Sequence, residues 1–394
     1  MSATLIPLED VCISINSGGT PSRQQASYWD GGTIPWIKTG ELNDWKVQSI
    51  GERITEEGLK NSSAKIYAPG TVLLAMYGDG KTITTMGIVD KPSATNQACC
   101  ALIADPQICD PLYLFYALKD RRSGLLNLVV AGAQRNLSVG TIRKFPILLH
   151  PLESQRRITK ILGAYDDLIE VNRRRIASLE EMARGLFTEW FTNLRFPGHE
   201  DVAIENTPDG PLPTGWSWGT LGDFLTLQRG FDLPSAQRVD GIFPIVSASG
   251  VTGSHAESRV SGPGVATGRS GTIGQVHLVM GDFWPLNTAL YVKEFKRAGP
   301  AYATLLLRHL DLSKHSAGAA VPTLNRNHVH GIKLAVAPSP LLHRFEQIAM
   351  ANYKAADVIR RESDTLAAAR DLLLPRLISG QLSIMQAESE LEVA

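Results

Sequence analysis

Two stretches of the chain carry apolar residues at the spacing of an amphipathic helix. In 152–195 they recur every three or four residues, at Ile158, Ile161, Tyr165, Leu168, Ile176, Leu179, Ala183, Leu186 and Trp190. In 339–380 the steps alternate between three and four, through Phe345, Ile348, Asn352, Ala355, Ile359, Glu362, Leu366, Ala369 and Leu373. This alternation is typical of a coiled-coil seam. It predicts two long helices packed on each other, with Asn172 and Asn352 fixing the register; the alternative is that each helix lies on its own domain.

The remaining segments carry short alternating runs divided by glycine and proline. Examples are "TIPWIKTG", "GTVLLAM", "TITTMGIV", "GVATG" and "GQVHLV". Such runs are typical of β-rich domains, here 1–151 and 216–338, each with a helix near 112–129 or 301–312. Segment 196–215 has the Pro, Gly and Asp density of a linker, and 381–394 forms a tail. The predicted fold class is α+β, with two β-rich domains separated by a long antiparallel two-helix coiled coil.

An internal repeat relates the two halves of the chain. An offset of 187 residues places "AGAQRNLSVGTI" near "AGAAVPTLNRNHV", with Leu137 on Leu324 and Arg157 on Arg344. With gaps upstream, the run from Pro69 matches the run from Pro263, and "TNQACCALI" matches "LNTALYVKE" from Leu286. The sequence therefore predicts a pseudo-twofold repeat of one mixed and one helical segment.

The stretch "AMYGDGKT" (75–82) matches a relaxed phosphate-loop pattern. A phosphate loop leads directly into a helix N-terminus, whereas the "TITTMGIV" that follows is β-branched and predicts a strand. The second copy reads "GRSGTIG" and lacks the lysine. We therefore expect a glycine turn, either structural or presenting polar side chains at its tip, and no nucleotide site.

Composition narrows the class of protein. The chain has 39 basic and 39 acidic residues and no net charge, which argues against non-specific coating of nucleic acid. Its four cysteines lack paired spacing, so we expect neither disulfides nor a metal site. No secretory leader or apolar window of membrane length is visible, and we expect a cytoplasmic protein without membrane contact.

No catalytic motif stands out. The nearest string to an adenine-methyltransferase motif is "DPLY" (110–113), which lacks the second proline, and no glycine-rich cofactor strand precedes it. No nuclease-like carboxylate cluster or Ser-His-Asp arrangement is visible, and for His328 and His330 surface or packing roles are favoured over phosphate contact. We predict no catalytic residues and no cofactor on this chain.

The run "PLESQRRITKILGAYDDLIEVNRRRIASLEEMARGLFTEWF" (151–191) resembles the central helical region of type I restriction–modification specificity subunits. "LPTGWSWGTLGDF" (212–224) is similar to the opening of their second target-recognition domain, and "SGGTPSR", "IPWIKTGEL" and "GRSGTIG" are similar to strings of that family. The likeness covers nearly the whole chain. It departs at "PSPLLHRFEQIA", where the family usually has a Glu-Gln-Arg-like start.

The resemblance implies a subunit that recognises DNA and carries no catalysis of its own. Segments 1–151 and 216–338 would be target-recognition domains, each reading one half of a split, asymmetric site on double-stranded DNA. Two modification (methyltransferase) subunits, which hold S-adenosylmethionine, would dock on the helices 152–195 and 339–380, and restriction/translocase subunits would complete the complex. A stand-alone DNA-binding regulator or a coiled-coil scaffold are the alternatives.

Within this interpretation, base contacts need side chains with paired donors and acceptors in loops. Arginine suits guanine, and Asn or Gln suits adenine. The candidates of the first domain are Arg23, Lys38, Lys81, Gln134, Arg135 and Asn136. Those of the second domain are Arg229, Arg269, Asn325 and Arg326.

Overall fold

The computed structural model describes residues 3–78, 82–129, 136–317 and 323–387, and it divides into two compact units. Unit 1 comprises Met1–Glu170 and Asp364–Ala394, and unit 2 comprises Val171–Ser363. Each unit thus combines one β-rich segment with parts of two long helices.

Unit 1 is built around two main sheets. Its strands are β1 (Thr4–Pro7), β2 (Cys12–Ser17), β3 (Ile34–Ile37), β4 (Lys46–Val47), β5 (Glu52–Ile54), β6 (Ile66–Tyr67), β7 (Val72–Ala75), β8 (Met86–Val89), β9 (Ser93–Thr95), β10 (Cys99–Ala104) and β11 (Pro146–Leu149). Its helices are α1 (Glu56–Lys60), α2 (Pro111–Asp120), α3 (Arg122–Asn127), α4 (Val139–Arg143) and the start of α5 (Leu152–Phe187). The sheet orders are β2-β10-β7-β8-β4, β5-β3-β9-β6 and β1-β11. Because β7 and β8 are buried along their whole length, they are almost continuously apolar.

Unit 2 repeats much of this arrangement. Its strands are β12 (Ile204–Thr207), β13 (Gly210–Pro213), β14 (Ser217–Thr220), β15 (Leu225–Arg229), β16 (Phe243–Ser247), β17 (Gly250–His255), β18 (Gly264–Gly268), β19 (Val276–Val279), β20 (Trp284–Pro285), β21 (Ala289–Phe295), β22 (Ser316–Ala317), β23 (Thr323–Leu324) and β24 (Lys333–Val336). Its helices are α6 (Leu221–Phe224), α7 (Pro300–His309), α8 (Arg326–His330) and most of α9 (Ser339–Ile378). The larger sheets have the orders β15-β21-β18-β19 and β17-β16-β20, and β14 pairs with β24.

Backbone hydrogen bonds define which residues of the two units are equivalent. The amide of Leu137 donates to Met76, as that of Leu324 donates to Arg269. Likewise Ser17 pairs with Cys100 across the sheet, as Arg229 pairs with Leu290. Equivalent pairs derived in this way are Ser17 and Arg229, Met76 and Arg269, Ser138 and Asn325, Val139 and Arg326, and Arg143 and His330.

These pairs confirm the predicted repeat and its offset of 187 residues near Leu137. Upstream, the sequence alignment is one residue out of register. Cys99 pairs with Ala75, whereas Ala289 pairs with Gly268, so the equivalent offset around β10 is 190 rather than the 191 implied by matching Thr95 to Leu286. Short glycine-containing strings cannot fix such a register, because the turns between them differ in length.

The two long helices run antiparallel within each unit. In unit 1, Asp166 of α5 pairs with Arg370 of α9, and His150, just before α5, lies 2.9 Å from the carbonyl oxygen of Ile378. In unit 2, Arg360 lies 3.2 Å from Glu180, and the rings of Phe187 and Phe345 are 6.0 Å apart. The predicted fold class, including the antiparallel helical pair, is confirmed.

Helix α9 buries different positions from the predicted seam. Ala349, Tyr353 and Ala356 are buried, whereas the predicted Ile348 is 40% exposed and Asn352 is only half-buried. The buried positions of α9 are shifted by one residue from the predicted seam, because α9 packs against its own β-rich domain as well as against α5. Phe345, for example, contacts both Phe187 of α5 and Tyr302 of α7.

A carboxylate from α9 holds the start of α7 in unit 2. Both Glu346 oxygens accept backbone N–H groups, from Ala301 at 3.0 Å and from Tyr302 at 2.9 Å. These N–H groups belong to the first turn of a helix, where no intrahelical partner exists. In unit 1 the equivalent helix α2 is capped by its own Asp110. The two helix arrangements that the sequence left open are therefore combined, since α9 lies on its domain and also pairs with α5.

Candidate nucleic-acid interface

All four candidates of the second domain line one cavity in unit 2. The cavity has a volume of about 430 Å³ and is bounded by Arg229, Arg269, Asn325 and Arg326, with Leu290, Thr323 and Leu324 completing the wall. Arg229 ends strand β15, Arg269 directly follows β18, and Arg326 begins α8. Positions far apart in the sequence are thus brought together by adjacent strand ends and a short helix.

Two polar side chains and one backbone carbonyl orient two of the three arginines of this cavity. The Arg229 guanidinium lies 3.6 Å from the Asp232 carboxylate, and Arg269 donates to the carbonyl oxygen of Asn287 at 3.4 Å. The Asn287 amide in turn donates to Asp232. For Arg326, no hydrogen bond or ion pair to another described residue is present. The cavity therefore has three guanidinium groups and one nearby carboxylate, an excess of positive charge.

The equivalent positions of unit 1 have different chemistry. Ser17, Met76 and Val139 stand where unit 2 has Arg229, Arg269 and Arg326. The backbone framework is shared, because Gly18 and Gly230 both approach a neighbouring loop too closely for any Cβ. A shared framework with exchanged side chains is the arrangement expected of two domains that recognise different ligands of one class.

Two first-domain candidates, Arg23 and Lys38, converge on Glu52. Each lies 2.6 Å from one oxygen of its carboxylate. The hydrogen bond from Lys38 and the ion pair with Arg23 lower the pKa of Glu52, and the pKa of Lys38 is raised by the same hydrogen bond. The Arg23 guanidinium also stacks on Trp29, 3.6 Å from the ring centroid. Both cations are thus held by protein groups.

The other first-domain candidates are placed differently. Asn136 is exposed and forms an isolated β-bridge with Tyr77, equivalent to the bridge between Ser270 and Thr323 in unit 2. Lys81, Gln134 and Arg135 lie outside the described residues. The role of all six first-domain candidates in DNA contact stays a prediction.

The glycine-rich stretch does not continue into a helix. Thr82 to Thr85 form turns and β8 begins at Met86, so the predicted strand is shorter than the β-branched run. In the second copy, Gly271 and Gly274 have φ angles of 81° and 84°, which side chains rarely adopt. These observations agree with the predicted glycine turn. In unit 2 the residue at the start of this turn, Arg269, lines the cavity.

Asp232 and Asn287, which position two of the arginines, were not among the residues predicted from the sequence. Their equivalents in unit 1 are Thr20 and Gln97, which are also hydrogen-bonded to each other. The only available signal was the matching of "TNQACC" with "LNTALY". Since it gives no information about the partner of Asn287, it could not reveal this pair.

His330 of unit 2 occupies the position equivalent to Arg143 of unit 1, and it has a structural role there. Its Nε2 accepts the backbone N–H of Leu227 at 2.8 Å, whereas the Arg143 guanidinium donates to the carbonyl oxygen of Ile15 at 2.9 Å. Accepting this bond requires an unprotonated Nε2. Burial lowers the pKa of His330, with smaller contributions from Lys296 and Arg326. This favours the packing role over phosphate contact for this side chain.

We expect acid to destabilise unit 2 through His330. A histidine whose folded-state pKa is lowered contributes stability above about pH 6.5, the ordinary histidine value, and loses it as the pH falls through the folded-state pKa. A His330→Gln variant should be less acid-sensitive, because the glutamine carbonyl can accept from Leu227 without titrating. The measurement is the thermal midpoint of both proteins between pH 5 and pH 8. Parallel curves would contradict this role for His330.

The cysteines show no sign of reactivity. Cys99, Cys100 and Cys109 are buried and Cys12 is partly buried, and burial raises the pKa of Cys12, Cys100 and Cys109 to about 12. Among the residues that the structure describes, no group of His, Cys, Asp and Glu is arranged to hold a metal ion, and no helix has the length and apolar character needed to cross a membrane.

Comparisons with known proteins all point to one family. Residues 4–181 match the model of the type I restriction modification DNA specificity domain. The chain is 26% identical to the type I restriction enzyme MjaIX specificity subunit of Methanocaldococcus jannaschii, over 94% of this chain and 91% of the relative. It is also 26% identical to the EcoR124I/EcoR124II specificity subunit of Escherichia coli, over 38% of each chain.

A solved structure shows the same fold. The S subunit of a type I restriction–modification system from M. genitalium superposes with a TM-score of 0.58 at 17% identity, covering 96% of both chains. The specificity-domain match in unit 1, the repetition of that fold in unit 2 and the nearly full-length relative agree with one another. Residues 4–181 thus carry a type I restriction modification DNA specificity domain, and nearly the whole chain is similar to a type I restriction enzyme specificity subunit.

Proposed function

We propose that the two units read the two different halves of a split, asymmetric site on double-stranded DNA. The observation that carries this proposal is the exchange of Ser17, Met76 and Val139 for Arg229, Arg269 and Arg326 on one backbone framework. Identical domains would recognise a symmetric site. Domains that differ at equivalent positions provide two different sets of donors and acceptors for base edges.

The neutral net charge of the chain supports a complex in which this chain contacts bases and partner subunits contact most phosphates. Affinity for DNA comes largely from neutralising phosphates, whereas specificity comes from contacts with bases. A chain with 39 basic and 39 acidic residues offers little overall attraction for DNA. We propose that modification and restriction/translocase subunits supply most phosphate contacts, and that S-adenosylmethionine binds to the modification subunits. The chain itself would neither methylate nor cut DNA.

We propose that modification subunits, two in the complex, dock on the long helices. In unit 2, a groove of about 700 Å³ lies between α5 and α9 and is lined by Val171, Arg174, Arg175, Ser178, Leu179, Ala355 and Ile359. Large apolar side chains of both helices are also exposed, including Met182 at 62% and Val358 at 65%. In unit 1, Leu168 and Leu372 are also exposed. A groove between two helices that also expose large apolar side chains is typical of a protein–protein interface.

The test is adenine methylation in the host genome. Deleting the gene should abolish methylation at one split motif, and restoring it on a plasmid should return the same motif. Purified chain alone, given S-adenosylmethionine and DNA, should transfer no methyl groups. Persistence of the motif in the deletion strain would overturn the proposed function.

A further inference from the structure

We propose that the cavity formed by Arg229, Arg269 and Arg326 reads guanine in the half-site bound by unit 2. The inference rests on the proposed function and adds the class of base and the residues that select it. At the equivalent positions, unit 1 has no group that could make the same contacts.

The donor set of the cavity favours guanine. In the major groove, guanine presents two acceptors, N7 and O6, and a guanidinium can donate to both at once. Adenine presents an acceptor beside the donor N6 amino group, which cannot pair with a second guanidinium N–H. The three arginines supply donors only, and Asn325 already uses its side-chain oxygen to accept from Asn327 N.

Arg229 and Arg269 are positioned before any ligand arrives. Arg229 and Arg269 start from adjacent parts of one sheet, since β15 and β18 both pair with β21, and Asp232 and Asn287 restrain their side chains. Leu324 forms a buried part of the wall. An arginine that is already oriented loses less conformational entropy on binding, which strengthens directional contacts.

The excess positive charge also favours a ligand rich in acceptors. Asp232 is the only carboxylate paired with these three arginines among the described residues. A guanine edge or a backbone phosphate could satisfy these guanidinium groups.

The comparison between units favours the base over the phosphate. Both units face the same kind of phosphate backbone, so a phosphate-binding device would be useful to both. Bases differ between two half-sites, so base-reading residues are those that change. Arg229, Arg269 and Arg326 are replaced by Ser17, Met76 and Val139, whereas the supporting glycines Gly18 and Gly230 are kept. The arginines thus follow the pattern of base readers.

The experiment uses the full chain in complex with its modification subunits and duplexes carrying its own methylated motif. The half read by unit 2 is assigned by exchanging residues 216–338. In that half, each guanine is replaced in turn by 7-deazaguanine, which lacks the N7 acceptor. We expect about tenfold weaker binding at one or more guanines, as for the loss of a good base contact. When 7-deazaguanine is placed in the other half, the change in binding affinity should be the same with and without these arginines.

Variants then connect the guanine to the cavity. Arg326→Gln removes an exposed guanidinium without a described partner, and Arg269→Met introduces the residue found in unit 1. Each variant should bind the natural duplex about tenfold more weakly and lose no further affinity on the 7-deazaguanine duplex. Arg297→Gln is the matched control, because Arg297 is exposed beyond the opposite end of β21 from Leu290. It should bind as the parent does.

Two results would overturn the inference and leave the proposed function standing. One is a unit 2 half-site without a G·C pair. The other is equal loss of affinity on natural and 7-deazaguanine duplexes, together with a salt dependence reduced by about one ion per variant, which would identify a phosphate contact. Absence of any split methylated motif would instead refute the proposed function itself.

Discussion

Replacing Arg370 with methionine is expected to destabilise unit 1 by about 3–5 kcal/mol, because it leaves a buried carboxylate without its cation. The side chain of Asp166 is 3% exposed and that of Arg370 is 11% exposed. Asp166 also accepts a hydrogen bond from the hydroxyl of Tyr116 at 2.6 Å, so it cannot turn toward solvent without breaking a second contact. The measurement is the unfolding transition of the purified chain in urea, followed by circular dichroism.

Two further variants test whether the buried charge is the cause. Arg370→Met combined with Asp166→Asn should recover most of the lost stability, because asparagine is neutral and can still accept from Tyr116. Arg360→Met, on the same helix, should cost no more than about 1 kcal/mol, since its ion pair with Glu180 is exposed. Equal losses for Arg370→Met and Arg360→Met would show that burial of this pair is unimportant.

Exchanging residues 216–338 for the matching domain of a relative is expected to change one half of the methylated motif completely and to leave the other half unchanged. The segment is suited to exchange because its ends are adjacent, with Ser217 of β14 paired to Val336 of β24. The old half-sequence should be bound no better than unrelated DNA, a loss of 10³-fold or more. Methylation mapping of strains with each chain gives the result.

The reciprocal exchange provides the matched control. In unit 1 the ends of the domain also meet, since Thr4 of β1 pairs with Leu149 of β11. Exchanging this segment should alter the other half of the motif. If either exchange changed both halves together, base recognition would not be divided between the two units. The proposal that each unit reads one half-site would then be wrong.

The helical part of the fold could be predicted closely from the sequence, whereas its buried face could not. The expected helices 152–195 and 339–380 correspond to Leu152–Phe187 and Ser339–Ile378. Asn172 is buried as predicted. Ile348 is not, because the heptad pattern describes packing between two helices and does not include the β-rich domain that also contacts α9.

For the candidate site, residue type was more informative than the pattern of neighbours. Arg229, Arg269, Asn325 and Arg326 were selected as arginine and asparagine in loops, and the fold brings all four to one cavity. The same selection gave Arg23 and Lys38, which are engaged by Glu52. A carboxylate 29 residues from Arg23 in the sequence leaves no local signal of this pairing.

The sequence by itself determined the repeated architecture, the long helices and the resemblance to specificity subunits, because these depend on periodic apolar positions and on strings that recur in order along the chain. Only the tertiary structure decided which polar groups meet. Arg229 and Arg326 are separated by nearly a hundred residues, and their proximity depends on the pairing of β15 with β21 and on the placement of α8. Pairing of distant strands is set by the packing of the whole domain, so no local pattern encodes it.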